Sequence, residues 1–213
     1  MTRKYDAPRR AEQATITRAA IVEAAAELFA AQGYGATTVG AIATRASVSA
    51  RSVYALGGKA ALLSLALDHV IAGDDRAAPL VEGEEFADVV QADSTTERAR
   101  LVGRFGAALL LRLYPLYRAF EQAAAVDGEV AALWRDYQAR RRSDVRRVVE
   151  AFEQTSQLRP GLDTDTATDT VWALIGWHPV ALLVEELGYD RPRIERWLED
   201  TITALLIGSG ADR

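Results

Sequence analysis

The chain has 213 residues, 49% hydrophobic and 26% charged, which suits a globular subunit with a sizeable core. It has no cysteine, which rules out disulfides and thiolate metal sites, and neither an apolar run of about 20 residues nor an apolar leader, which points to a cytoplasmic protein with no membrane partner. The net charge of −5 is uneven: residues 1–59 hold 8 Lys/Arg against 4 Asp/Glu and the remainder 17 against 26, so an acidic body carries a basic end suited to a polyanion.

In chain order, residues 1–14 are basic, polar and contain Pro8, and read as a flexible arm. From Thr15 a helical period sets in, with Ile21, Ala24, Ala25, Leu28 and Phe29 on one face, until Gly33 and Gly35 stop it. A helix is expected from Gly58 to Ala72, and a loop with a short helix over 73–93. Ser94-x-x-Glu97 carries capping chemistry for the next helix, which Pro115 should end, so that PLYRAFEQAAA forms a helix of its own. A long helix follows, with Val130, Leu133, Trp134, Tyr137, Val145, Val148, Val149 and Phe152 on one stripe. Asp163 can cap its successor, and Ile194, Trp197, Leu198, Thr201, Ile202, Leu205 and Leu206 keep the period of the last helix. No segment alternates as a strand would, so the chain is all-α, with nine or ten helices.

The stretch TTVGAIATRASVSARSVY, Thr37 to Tyr54, holds two helical rhythms that are each too short to stand alone. Thr38 can cap the first, with Val39, Ile42 and Ala43 inward; Ser49 can cap the second, with Val53 inward beside Leu56. Small residues at Ala43 and Ala46 allow a close, steep crossing, and the lack of carboxylates avoids repelling phosphate. Together these make a helix-turn-helix. Its second helix offers Ala50, Arg51, Ser52 and Tyr54. Arg51 can donate twice to guanine, while Ser52 and the Tyr54 hydroxyl suit phosphate oxygens. Lys59, at the start of the next helix, and the amides after Thr38 complete the candidate DNA-binding set.

The run RAAIVEAAAELFAAQGYGATTVGAIATRASVSARSVY, followed by GGKAALL, resembles the DNA-binding domain of TetR-family (tetracycline-repressor-like) regulators over about residues 15–63. Two departures stand out. Ser47 occupies a turn position where the family has Gly, at a cost of about 1 kcal/mol if the backbone there is left-handed. The junction YALGGK is one residue shorter than the family's Tyr-x-x-Phe-x-x-Lys spacing and lacks its aromatic, which bears on where Lys59 points.

The resemblance implies an N-terminal three-helix domain (15–63) and a helical effector-binding and dimerisation bundle (64–213). It further implies a homodimer on a palindromic double-stranded operator, half-sites about 34 Å apart, released by a small-molecule effector. It implies no cofactor and no metal. Candidate effector contacts are Phe105, Leu109, Arg112, Tyr117, Phe120, Trp134, Tyr137 and Trp172, each also readable as an ordinary core side chain, and Arg141, which falls on the apolar stripe. Candidate dimer residues are Trp172, Trp197, Ile202 and Leu205. His69 and His178 are far apart in sequence and lack metalloprotease spacing, and the reading is not an enzyme; His178 beside Trp177 reads more simply as a core histidine. The alternative function is a ligand-binding or protein-interaction subunit that has lost specific DNA binding.

Overall fold

A computed structural model describes residues 6–72, 83–156 and 158–207, which form ten helices and, among the described residues, no strand. They are α1 (Asp6–Ala36), α2 (Val39–Arg45), α3 (Ala50–Tyr54), α4 (Lys59–Ala72), α5 (Glu84–Gln91), α6 (Thr95–Ala124), α7 (Gly128–Thr155), α8 (Thr164–Leu174), α9 (Trp177–Glu185) and α10 (Arg191–Leu206). The chain divides into two compact units: Met1–Ala77 with Pro115–Trp134, and Ala78–Tyr114 with Arg135–Arg213.

In the first unit α1 packs on α4 and α2, and α2 on α3. Ile21, Ala25, Phe29, Ile42, Val53, Leu62, Leu63 and Leu67 are all fully buried or nearly so. Burying Ile42 and Val53 contributes roughly 1.5–3 kcal/mol each, the main reason that such short helices persist. The expected arm is corrected in part: residues 6–14 are helical, and 1–5 lie outside the described residues. Pro8 falls in the first turn, where no helical N–H is needed, and Arg9 to Ala14 contains good helix formers. The break at Gly33 is as expected, at φ 77°. Buried Thr37 places its Oγ1 2.8 Å from the Gly33 carbonyl and 3.2 Å from that of Leu28, covering the end of the helical run.

In the second unit, Val89, Ala99, Val102, Val149, Phe152, Ala167, Val171 and Ile202 form one apolar cluster, and Ala107, Leu110, Val180, Ile194 and Leu198 another. The two glycines of α6 let α10 close on it. A Cβ at Gly103 would lie 2.5 Å from the Glu195 carbonyl oxygen, and one at Gly106 3.2 Å from Leu198 Cδ1. Arg98 is fully buried because carbonyls surround it: it donates to Val89 (3.0 Å), Val90 (3.2 Å) and Ala92 (2.5 Å), and to Thr155 Oγ1, fastening the end of α5 to that of α7.

Capping follows the sequence: the Glu97 amide donates to Ser94 Oγ (3.2 Å) and the Thr166 amide to Asp163 Oδ1 (2.8 Å). Two expectations fail. Pro115 does not end a helix; α6 runs through it, forgoing the backbone bond its missing N–H would have made. Thr164–Glu185 is, by length and composition, apolar enough to cross a membrane. It is instead two helices parted at Ile175 and Gly176, with Ala167, Val171, Val180 and Leu183 buried inside the protein.

Candidate nucleic-acid interface

The turn of residues 46–48 aims α3. The Val48 amide donates to the Ala43 carbonyl (2.9 Å) and the Ser47 amide to that of Thr44 (3.1 Å), a Schellman closure whose left-handed residue is Ser47, at φ 56°. This is the conformation that favours glycine, so the serine carries the expected strain. The Ala41 amide donates to Thr38 Oγ1 (3.1 Å) and the Ser52 amide to Ser49 Oγ (3.2 Å), so both expected caps form. Arg45 pairs with Glu27 of α1 (2.6 Å), tying α2 back to the scaffold.

The candidate DNA contacts fall into three groups. Ala50, Arg51 and Tyr54 stand exposed on α3, and Tyr54 at 63% is unusually open for an aromatic. Thr38 and Ser49 are exposed, but their hydroxyls serve the caps; Ser52 is half-buried with its Oγ 2.9 Å from that of Ser49. Lys59 departs furthest from expectation. Its ammonium lies 4.2 Å from the centroid of the Tyr34 ring and 3.5 Å from the Gly35 carbonyl. Gly57 at φ 117°, with no aromatic in the short junction, brings the chain directly from α3 into α4.

Tyr34 and Asp127 were not foreseen. The Tyr34 hydroxyl donates to Asp127 Oδ2 at 3.1 Å, and burial together with that carboxylate pushes its pKa up to about 12. Asp127 accepts the Val130 and Glu129 amides at the start of α7, and these bonds hold its pKa below the ordinary carboxylate value. Burial lowers the pKa of Lys59, while the charge of Asp127 opposes that shift. A sequence signal did exist for Asp127, an Asp-Gly pair before a helical period, but none for its meeting Tyr34.

The effector candidates are divided between the two units. Tyr117, Phe120 and Trp134 pack together in the first unit, with ring centroids 6.0 and 5.2 Å from Trp134. Phe105, Leu109, Tyr137, Arg141 and Trp172 belong to the second unit. Arg112, expected inward, is exposed: the buried face of α6 runs through Leu110 and Leu113. Arg141 donates to the Trp172 (2.9 Å) and Ile175 (2.6 Å) carbonyls. Of the dimer candidates Trp172, Trp197 and Leu205 are half-buried, whereas Ile202 is 1% exposed in this chain's own core and cannot also serve a partner. Exposed apolar surface lies instead at Leu174, Leu182 and Leu187. His178, read as a core residue, is exposed and stacked on Trp177 (3.7 Å).

A capped two-helix unit with an outward Arg–Tyr face on a buried helical scaffold defines a helix-turn-helix protein. Residues 21–64 match the family described as bacterial regulatory proteins, tetR family. No curated protein sequence matches the chain. Three solved structures share the fold over nearly their whole length. A Mesorhizobium loti protein assigned to the TetR family is 19% identical, with 90% of this chain and 95% of that one covered and a TM-score of 0.68. A Saccharomonospora viridis transcriptional regulator in complex with choline is 18% identical, with coverages of 89% and 96% and a TM-score of 0.66. Bacillus subtilis FadR in complex with stearoyl-CoA is 17% identical, with coverages of 89% and 97% and a TM-score of 0.64.

Proposed function

We propose that the protein is a ligand-responsive transcriptional repressor of the cytoplasm, a homodimer that binds a palindromic operator through α3 and leaves it when a small-molecule effector binds the C-terminal helices. The observation that carries this is the exposed Arg51–Tyr54 face of α3, held by two side-chain caps and a Schellman turn. Charge supports it, since residues 1–59 are net basic in an otherwise acidic chain. Residues 15–63 are then the reading head, and 64–213 the effector and dimerisation region. Exposed Leu174, Leu182 and Leu187 supply apolar area for an isologous contact.

The seating of Lys59 over Tyr34 favours a second reading, a family member that has lost its operator, because that cation is already engaged. Selection of bound sequences from a random DNA pool separates the two. A regulator enriches a palindrome with half-site centres one helical turn apart, about 10–10.5 base pairs, or a multiple of that; a protein that has lost its operator enriches nothing.

A further inference from the structure

Five arginines crowd α7 between residues 140 and 147. Four are held on outward or half-buried faces. Arg142 reaches Asp169 at 2.7 Å, Arg146 reaches Glu150 at 2.8 Å and also Asp165, and the guanidinium carbons of Arg147 and Arg140 lie 5.1 Å and 5.9 Å from the ring centroids of Phe86 and Tyr137. Arg141 is different. Its guanidinium is turned inward over Trp172, with its carbon 5.5 Å from the ring centroid, and Nη2 meets the Trp172 and Ile175 carbonyls where α8 ends. Among the described residues no carboxylate lies within ion-pair distance of it, and Nε and Nη1 have no hydrogen-bond partner. Burial raises the pKa of Asp144, the acid one turn along, against the opposing charges of Arg147 and Arg140. Burial lowers the pKa of Arg141 accordingly.

Two carbonyls at a helix end offer only a fraction of a counter-charge. The Trp172 and Trp177 indole nitrogens and Gln138 Oε1 are buried with no partner among the described residues. Gln138 precedes Arg141 by three positions and so shares its face of α7. Trp177 opens α9 next to Gly176, where a Cβ would stand 3.0 Å from Arg141 Nη2. Native proteins keep few such orphaned groups. Trp172 thus brings an unpaired indole N–H to the ring that the Arg141 guanidinium covers, while Gln138 lies one turn back on α7 and Trp177 opens α9.

What balances this set is a planar monoanion that takes a guanidinium fork edge-on. A single guanidinium neutralises a carboxylate, whereas a dianionic phosphate would leave a buried charge uncompensated. The Trp172 ring under the guanidinium supplies an apolar wall for the remainder of the molecule. We propose that Arg141, with Trp172, Trp177 and Gln138, is the anchoring site for the carboxylate of a small organic acid with an apolar body, the effector class of this protein. The assignment rests on the ligand-responsive reading above.

The test uses the full-length protein and two probe acids, 2-naphthoate and octanoate, each beside its neutral amide, with binding read by calorimetry at neutral pH. The expected result is that at least one acid binds about tenfold or more tightly than its amide. Arg141→Gln removes that preference, Arg141→Lys keeps part of it, and Trp172→Phe, which keeps a ring but loses the N–H, weakens the acid a few-fold. Circular dichroism of each variant confirms the fold; should Arg141→Gln not fold, the acid–amide comparison and Trp172→Phe decide. Equal binding of acid and amide, no binding of either acid, or an intact preference in Arg141→Gln overturns the site. Operator binding separates this from the wider reading. An acid that binds through Arg141 but leaves DNA affinity unchanged keeps the site and removes its regulatory role. A neutral compound that releases DNA equally from wild type and Arg141→Gln keeps ligand response and removes the site.

Discussion

Ser47 holds a backbone conformation that L residues with a side chain resist, at φ 56°. Replacing it with Gly removes that strain but adds freedom to the unfolded chain, and the first effect is the larger. Ser47→Gly is expected to stabilise the protein by about 0.5–1 kcal/mol, read as a thermal midpoint higher by about 1–4 °C; an unchanged or lower midpoint contradicts this. Asp127 is a second residue with a definite sign. Its folded pKa is depressed, by the Val130 and Glu129 amides and the Tyr34 hydroxyl, so its contribution is present above the ordinary value of 3.8 and is lost as pH falls through the folded one. Melts between about pH 5 and pH 3 should show wild type losing more stability than Asp127→Asn, which keeps an acceptor for the α7 amides but cannot ionise. Parallel losses would mean the carboxylate's charge does not matter. The strain at Ser47 was legible because one turn geometry decides it locally. The place of Lys59 was not, because it depends on Tyr34, with Asp127 behind it, arriving from elements far apart in sequence.

At the level of elements, the helix-turn-helix was legible in detail, since each helix is framed by its own cap and inward residues. What the sequence concealed were places where packing overrides a local signal. Pro115 normally breaks a helix at a cost of about 3 kcal/mol, yet α6 continues through it, with Leu113, Leu116 and Tyr117 buried around it. The opposite holds between Leu174 and Trp177, where an apolar stretch is parted into two helices at Ile175 and Gly176. Close approach of α6 and α10 gives a direct test. Gly103→Ala gains helix propensity of about 1 kcal/mol, but its methyl would meet the Glu195 backbone oxygen at 2.5 Å, which no rotamer change relieves. The clash should win, lowering stability by about 1–2 kcal/mol in denaturant titration. A stabilised variant would show that α10 does not pack there as described.

For the molecule as a whole, the fold class and the helix-turn-helix were legible, but which side chains of the apolar stripes stay at the surface was not. The reason is physical: a side chain on an apolar stripe faces something, and periodicity alone does not say whether that is the chain's own core, a partner or a ligand. Ile202 shows this, indistinguishable in sequence from an interface residue and wholly committed to its own core. Arg141 shows the converse, an arginine on an apolar stripe whose neighbours, rather than its spacing, mark it out. The central claim is that α3 reads DNA, and fluorescence anisotropy tests it with the purified protein, DNA from upstream of its own gene, two salt concentrations and the Arg51→Ala variant. The account predicts specific binding that falls steeply with salt and weakens by about 1–3 kcal/mol in the variant. Equal, weak binding to every sequence by both proteins would contradict it.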